Sequence, residues 1–178
     1  MMRRMLIGLA AALGLTGAAH ASLPVGAKAP GFTTSGALAG KPFRFDLAAA
    51  LKRGPVVLYF YPKAFTKGCT LEARAFSESM DEFRKAGAQV IGLSADDLPT
   101  LKRFSVEECR NAFPVAIATK KIIRDYQVAM PVVNKVTAMS NRTTYVIDRR
   151  GRIALAHSEM DWSGHVGKAL DAVKAFKR

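Results

Sequence analysis

The sequence is poor in the residue types that most often bind metals or exchange disulfides. Its 178 residues include two cysteines, Cys69 and Cys109, and three histidines. No C-x-x-C motif is present, so a dithiol exchange protein of the usual kind lacks its site. The two histidines beyond the N-terminal region, His157 and His165, do not combine with the cysteines in a spacing typical of zinc sites. The sequence therefore predicts neither a metal site nor a bound cofactor.

Long apolar runs are also scarce. The longest, residues 5–19, is interrupted by glycines and falls short of the roughly 18 apolar residues that a membrane span needs. Two arginines precede it, and the small-residue pattern Ala19-His20-Ala21 follows it, as in a cleavage site. We interpret residues 1–21 as a signal peptide cleaved after Ala21, which predicts an exported, periplasmic protein without stable membrane insertion. A membrane anchor is the weaker interpretation.

Acidic residues are few, with 14 Asp and Glu against 27 Lys and Arg, so the net charge is +13. An excess of this size can indicate a nucleic-acid partner. Here the basic residues are scattered through the chain rather than grouped in one run, which favours a solvated basic surface. We therefore expect no nucleic-acid binding, while attraction to anionic membrane surfaces stays open.

Residues 22–178 have the length and apolar content of one domain and contain no internal repeat. Apolar runs typical of buried strands occur at 56–61 and 88–94, and a helical pattern runs from about Lys67 to Lys85. Further predicted elements are strands at 42–46 and 113–118, helices at 47–52, 97–111 and 120–126, a β-hairpin at 143–157 and a final helix from Ser163. This alternation predicts a three-layer α/β domain.

The stretch from Tyr59 to Glu72 carries the candidate chemistry. An apolar, β-prone run stops at Pro62, a short loop follows, and Cys69 comes at the start of a helical pattern. At that position the sulfur faces N–H groups without partners and the positive end of the helix dipole, which favour the nucleophilic thiolate. Thr66, three residues earlier, can cap the helix and is placed to donate to a polar atom presented to the sulfur.

The cysteine pair has two interpretations at this point. A structural disulfide between Cys69 and Cys109 is common in exported proteins. A redox pair, in which one thiol attacks and the other closes on the product, better explains why Cys69 lies at a loop-to-helix junction beside Thr66 and Gly68. A purely structural bridge needs no such setting.

These residues together resemble the peroxiredoxins, and among them the subfamily of the bacterioferritin comigratory protein, also called the Q type. Residues 25–32 are similar to the family's opening segment, residues 59–76 to its active-site block, and residues 141–148 to the strand that contributes its arginine. The resemblance implies a thioredoxin-like fold, with a central mixed sheet flanked by helices. It also implies thiol-dependent reduction of hydrogen peroxide and organic hydroperoxides.

The resemblance further implies that Cys69 is the peroxidatic cysteine, with Pro62, Thr66 and Arg142 completing the site. Arg142 can donate several hydrogen bonds from a permanently charged plane to the thiolate and to the peroxide oxygens. The Thr66 hydroxyl and the backbone N–H groups of Gly68 and Cys69 can donate to the peroxide. Pro62, which has no N–H group, would cover the sulfur and restrict water.

Glu72 matches a family position that holds the arginine or the helix in place. Each supporting residue also has a purely structural alternative: Thr66 as a cap, Pro62 as the end of a strand, Arg142 as a surface residue and Glu72 as a solvated helix acid.

Peroxide attack leaves a sulfenic acid on Cys69 that must be recycled. Many Q-type members place the resolving cysteine five residues later, where this chain has Arg74. Other members carry it in the helix before a Phe-Pro strand, so the resemblance assigns that role to Cys109, with a buried, non-catalytic thiol as the alternative. Phe65 and Lys67 also depart from the family pattern, and Lys67 adds positive charge near the thiolate.

A disulfide requires Cα atoms within about 4.4–6.8 Å. We therefore expect the reduced protein to hold Cys69 and Cys109 farther apart and to unwind locally on oxidation. The leading hypothesis is a peroxidase recycled by a thioredoxin-like donor, acting as a monomer or weak dimer. A thiol–disulfide exchange protein, and a non-enzymatic binding module with a structural bridge between residues 69 and 109, remain the alternatives.

Overall fold

The structure, a computed structural model, describes residues 22–130 and 139–176. The predicted signal peptide, residues 1–21, lies outside the described residues, as do residues 131–138 between the predicted helix at 120–126 and the predicted hairpin. In the described part of the chain, no helix is both long enough and apolar enough to span a membrane.

The predicted central mixed sheet flanked by helices is confirmed. The strands are β1 Thr33–Leu38, β2 Lys41–Asp46, β3 Val56–Phe60, β4 Gln89–Ser94, β5 Val115–Ile117, β6 Thr143–Ile147 and β7 Ile153–Ser158. The helices are α1 Leu47–Arg53, α2 Lys67–Glu78, α3 Met80–Lys85, α4 Leu98–Glu107, α5 Lys120–Asp125 and α6 His165–Ala175.

The seven described strands are arranged in the order β2-β1-β5-β4-β3-β6-β7. Strands β3, β4 and β5 are parallel, and their neighbours on either side are antiparallel. All five residues of β3 are fully buried, because helices cover both faces of the sheet. This strand leads directly into Pro62 and the loop before α2, so the candidate site lies at the carboxyl edge of the parallel strands.

Alternate residues of β3 enter different apolar clusters. Val57 and Tyr59 join a cluster that also contains both cysteines and the buried faces of α2, α3, α4 and α6. Val56, Leu58 and Phe60 join the cluster beneath α1 and α5. The candidate nucleophile therefore belongs to a densely packed layer rather than to a surface loop.

The long helix expected from Lys67 to Lys85 is two helices. Ser79 has φ −94° and ψ 0°, and its N–H donates to the carbonyls of Ala75 and Phe76 at 3.2 and 3.1 Å. These values lie in the sparsely populated bridge region, where the helix is interrupted. The helix resumes at Met80, so the apolar pattern that suggested one helix continues across the break.

The helix after Asp97 is also shorter than expected. It ends at Glu107 rather than near Asn111, because Arg110 and Asn111 have φ values of 49° and 59°. Two successive residues in the left-handed region cannot continue a right-handed helix. Cys109 consequently lies in a turn beyond the end of α4.

The sequence did not predict strand β1, which pairs with β2 on one side and β5 on the other. Gly36 in this strand lies so close to its neighbours that a Cβ atom would be 2.5 Å from the carbonyl oxygen of Val115 and 2.9 Å from the ring of Phe43. The strand is built from small residues for this reason, and it lacks the apolar, β-branched run that identifies a strand in sequence.

Candidate active site

Cys69 is the third residue of α2, which begins after Thr66. The first intrahelical hydrogen bond joins the N–H of Thr70 to the carbonyl of Thr66 at 2.9 Å. The N–H groups before Thr70 therefore have no acceptor within the helix, and together with the helix dipole they favour negative charge at this end. The Cys69 side chain is a free thiol that is almost completely buried.

The guanidinium of Arg142 uses all three of its nitrogen atoms in this site. Nη2 donates to the Sγ of Cys69 at 3.5 Å, Nη1 donates to Oε2 of Glu72, and Nε donates to the carbonyl of Met160 at 3.0 Å. Arg142 directly precedes β6, whose pairing with β3 places it next to the start of α2. Two contacts thus fix the guanidinium plane, and the third directs a charged donor at the sulfur.

Gly68 permits this close approach. A Cβ atom at position 68 would lie 3.2 Å from Nη2 of Arg142 and 3.9 Å from Cδ1 of Trp162. The guanidinium would have to shift to accommodate even an alanine. The sequence thus places a glycine where the arginine passes over the helix backbone.

Burial and neighbouring charges shift the pKa values of both Glu72 and Arg142. Burial raises the pKa of Glu72 to about 8, against the opposing charge and hydrogen bond of Arg142. Burial acts to lower the pKa of Arg142, but the charges of Glu72 and Cys69 outweigh it, so the pKa of Arg142 is raised. Arg142 therefore stays cationic at all relevant pH values and provides a permanent positive charge next to the sulfur.

Thr66 does not cap α2 with its side chain, contrary to the sequence-based expectation. Its backbone occupies the N-cap position, but its hydroxyl donates to the carbonyl of Lys63 at 3.0 Å and accepts no helix N–H. The preceding loop turns back on itself, and this brings the Lys63 carbonyl within reach. The hydroxyl remains exposed at the surface of the site loop.

The loop is held by contacts from distant parts of the chain. Pro62 is half-buried, and the carbonyl of the preceding Tyr61 accepts a hydrogen bond from the buried Ser140 hydroxyl at 2.9 Å. The N–H of Ala64 donates to Asp96 at 2.8 Å. These contacts place Pro62 between the end of β3 and the segment that leads to Arg142.

Phe65, one of the departures from the family pattern, has φ 63°. The residue is 37% exposed, and its ring packs edge-on against Phe104 with 5.3 Å between centroids, while the guanidinium of Arg103 lies 5.0 Å from the Phe65 ring centroid. These contacts stabilise a left-handed conformation that a bulky residue seldom adopts. Lys67, the other departure, is exposed in the first turn of α2.

Cys109 is a second free thiol and is fully buried. Burial raises the pKa of its thiol far above the ordinary value. Its carbonyl accepts from the Ser77 hydroxyl at 2.8 Å, and its neighbour Glu108 pairs with Arg74 at 2.9 Å. The turn that carries Cys109 is therefore attached to α2, the same helix that carries Cys69.

The structure adds residues that the sequence did not identify. Ser140 supports the end of β3, the carbonyl of Met160 orients Arg142, Trp162 lies against Gly68, and His165 lies 3.7 Å from Glu72. Met160, Trp162 and His165 lie between the end of β7 and the first residue of α6. The sequence of this segment contains no motif that predicts a role in the site, because that role depends on contact with an arginine about 20 residues earlier.

The chain is similar to one family of known proteins, both in sequence and in structure. The profile of the AhpC/TSA family matches residues 25–156. Over 126 residues the chain is 34% identical to the chloroplastic peroxiredoxin Q of Suaeda salsa, a match that covers 70% of this chain and 58% of that protein. The chain therefore spans less than two thirds of that relative's length.

Two solved structures share the fold. Peroxidoxin BcpB from Mycobacterium tuberculosis has a TM-score of 0.75 and 31% identity, covering 86% of this chain and 98% of that one. Peroxiredoxin Q from Xanthomonas campestris has a TM-score of 0.70 and 28% identity, covering 81% and 91% respectively. The predicted thioredoxin-like α/β fold is confirmed by these similarities.

The predicted periplasmic location is wrong. Curated relatives of the chain are named as chloroplastic proteins, among them those of Suaeda salsa, rice and Arabidopsis thaliana. The prediction depended on an apolar stretch within residues 1–21, which lie outside the described residues. Such a stretch does not by itself identify a compartment.

Proposed function

Because the chain belongs to the AhpC/TSA family, as its sequence predicted, we propose that it is a thiol peroxidase acting on hydrogen peroxide and organic hydroperoxides. The observation that carries the proposal is the position of Arg142, whose Nη2 lies 3.5 Å from the sulfur of Cys69. A cation held at this distance stabilises both the attacking thiolate and the negative charge that develops during oxygen transfer.

In the first step the thiolate of Cys69 attacks one peroxide oxygen. A sulfur–oxygen bond forms, the O–O bond breaks, and the departing oxygen leaves with the electron pair and takes up a proton. The sulfur is oxidised to sulfenic acid, and the peroxide is reduced to water or an alcohol. Arg142 and the free N–H groups at the start of α2 face the oxygen atoms that gain charge.

Four neighbours support this step. Glu72 orients Arg142, and Gly68 leaves room for the guanidinium. The exposed Thr66 hydroxyl can rotate from the Lys63 carbonyl to donate to a bound peroxide. Pro62 ends the strand beside the nucleophile and offers no N–H that would compete for the substrate.

In the second step the sulfur of Cys109, after deprotonation, attacks the sulfenic sulfur of Cys69. The S–S bond forms, the S–O bond breaks, and water leaves. Both thiols are buried in the reduced protein, and the Cys109 carbonyl is bound by Ser77. The turn after α4 must therefore separate from α2 before the disulfide can close. A dithiol protein of the thioredoxin type would then reduce the disulfide by exchange.

Peroxide consumption in the presence of a dithiol reductant tests this function. The wild-type protein should turn over repeatedly, and Cys69→Ser should be inactive. The matched variant Cys109→Ser should form one sulfenic acid per chain and then stop with a dithiol protein as donor. Full turnover by Cys69→Ser would overturn the proposal, and normal cycling by Cys109→Ser would remove the resolving role of Cys109.

A further inference from the structure

His165 lies behind the active-site arginine and takes no part in the chemistry described above. Its imidazole is fully buried. Nε2 lies 3.0 Å from the carbonyl oxygen of Glu159, and Nδ1 lies 2.8 Å from the hydroxyl of Thr144. A carbonyl can only accept, so Nε2 carries the proton, and Nδ1 accepts the hydrogen bond from Thr144. Both ring nitrogens are thus engaged in a single tautomer.

Both groups that orient Arg142 lie next to this ring. The Glu159 carbonyl belongs to the residue immediately before Met160, whose own carbonyl accepts from Nε of Arg142. Nδ1 of His165 also lies 3.7 Å from Oε1 of Glu72, while the other oxygen of that carboxylate accepts from Nη1. Within the described residues, Oε1 of Glu72 has no hydrogen-bond partner.

We propose that His165 is a positioning residue for Arg142. It holds the Glu159–Met160 carbonyl segment on one side and packs against Glu72 on the other, and it thereby keeps Nη2 directed at Cys69. The inference rests on the proposed function, because it gives His165 a role in the reaction of Cys69 with peroxide.

A neutral ring suits this role. Burial, with a contribution from the neighbouring His157 and Arg142, lowers the pKa of His165 to about 4 against the opposing effect of Glu159. The ring of His157 packs against that of His165 at a tilt of 51° with 4.5 Å between ring centroids, and it is contacted by Lys168. The ring at position 165 thus lies among cationic or potentially cationic groups and supports the carbonyl segment without adding a charge beside Arg142.

Two substitutions separate the contacts of the ring. In His165→Gln the amide nitrogen falls near the position of Nε2 and keeps the bond to the Glu159 carbonyl. In His165→Asn the amide falls near Nδ1 and keeps only the bond to Thr144. Both remove the aromatic ring, so thermal unfolding of the two variants should be similar.

The readout is the rate constant for hydrogen peroxide in the Cys109→Ser background, followed by the fluorescence of Trp162, the one tryptophan in the chain. We expect His165→Asn to react about tenfold more slowly and His165→Gln to stay within about twofold of the parent. The control His157→Asn should react at the parental rate. Equal loss in all three variants, or no loss in His165→Asn, would overturn the inference.

A double-mutant cycle shows whether the effect passes through Arg142. In an Arg142→Lys background the guanidinium plane that His165 orients is absent. His165→Asn should therefore lower the rate constant for hydrogen peroxide by less than about twofold. The same tenfold loss in both backgrounds would mean that His165 acts independently of Arg142, which contradicts the inference.

The proposed function and the positioning role can fail separately. If the parent protein does not react with peroxide, the function fails, and the same variants are then compared by alkylation of Cys69 with iodoacetamide. A slower reaction in His165→Asn but not in His165→Gln still supports the positioning role. Identical alkylation rates in both variants would reject it.

Discussion

Arg142 and Glu72 form an ion pair in the interior of the protein, with 4% and 0% of their side chains exposed. The partners are 70 residues apart in the chain, one before β6 and the other in α2. Taking such a pair out of water is unfavourable unless its hydrogen bonds are well satisfied. Here the arginine gains a third contact, the sulfur of Cys69, so the pair holds a charge where the chemistry requires one.

Replacing Glu72 by Gln should therefore weaken both the site and the fold. Above pH 8, where Glu72 is ionised, the amide keeps the shape and one acceptor but leaves Arg142 without a countercharge, so we expect a stability loss of about 2 kcal/mol and about a tenfold slower reaction with peroxide. Denaturant unfolding and stopped-flow kinetics measure the two effects. The control Glu107→Gln, which removes an exposed partner of Arg103, should lose less than about 1 kcal/mol. Equal losses in the two variants would contradict the special status of the buried pair.

Gly68→Ala should lower the activity without lowering the stability of the protein. Alanine favours the helix by about 0.5–1 kcal/mol over glycine, but its Cβ would displace the Arg142 guanidinium, which lies 3.2 Å away. We expect unchanged or higher stability and about a tenfold loss in the peroxide rate constant. Gly167→Ala in α6 is the matched control, because a Cβ there has no neighbour within 4 Å. Gly167→Ala should gain stability and keep the parental rate constant. Equal rate constants for Gly68→Ala and Gly167→Ala would refute the steric argument.

Ser77→Ala should accelerate disulfide formation. Its hydroxyl has one hydrogen and lies 2.8 Å from the Cys109 carbonyl and 2.9 Å from the Ala73 carbonyl, so the bond to Cys109 is worth at most about 1 kcal/mol. Its removal should speed closure by up to about fivefold if the turn after α4 must leave α2 first. Mass spectrometry of acid-quenched samples after one equivalent of peroxide follows the disulfide. Lys121→Ala, which removes an ion pair on α5, should change nothing. An unchanged rate in Ser77→Ala would indicate that this contact persists during closure.

Stability should fall in acid because of His165. The pKa of His165 is lowered from 6.5 to about 4 on folding, so between these pH values the unfolded chain binds more protons than the folded one. The stabilisation present above pH 6.5 is lost as the pH falls toward 4, by up to about 3 kcal/mol. Glu72 has the opposite sign: its pKa is raised to about 8, so its contribution is lost as the pH rises through 8. Wild type and His165→Gln both contain Glu72, so the difference between their free energies of unfolding at each pH isolates the contribution of His165. If this difference does not change with pH, titration of His165 does not affect stability.

Much of the scaffold could be predicted from local sequence. The continuous apolar run at 56–61 identifies β3, the hairpin strands β6 and β7 were expected at these positions, and Asp46 and Asp97 cap α1 and α4 with their side chains as expected. These features depend on residues close together in the chain, where propensity and pattern are informative.

What could not be predicted depends on distant contacts. The Thr66 hydroxyl bonds to Lys63 instead of capping the helix, because the turn of the loop decides its partner. The role of the Met160 carbonyl cannot be predicted from residue type, since every residue has a carbonyl. The family resemblance identified Arg142 and Glu72, but only the fold reveals the backbone segment and the histidine that hold them.

We propose that the charge of Arg142, held beside Cys69, makes the sulfur reactive toward peroxide. The rate constant for hydrogen peroxide tests this proposal. It is measured in the Cys109→Ser background for the parent with Arg142 intact and for Arg142→Lys and Arg142→Met, and thermal unfolding checks that each variant is folded. We expect losses of about tenfold for lysine, which keeps the charge but not the planar donor geometry, and at least about 100-fold for methionine, equivalent to about 2.7 kcal/mol of transition-state stabilisation. A folded methionine variant that reacts within twofold of the parent would show that the charge at position 142 does not make Cys69 reactive.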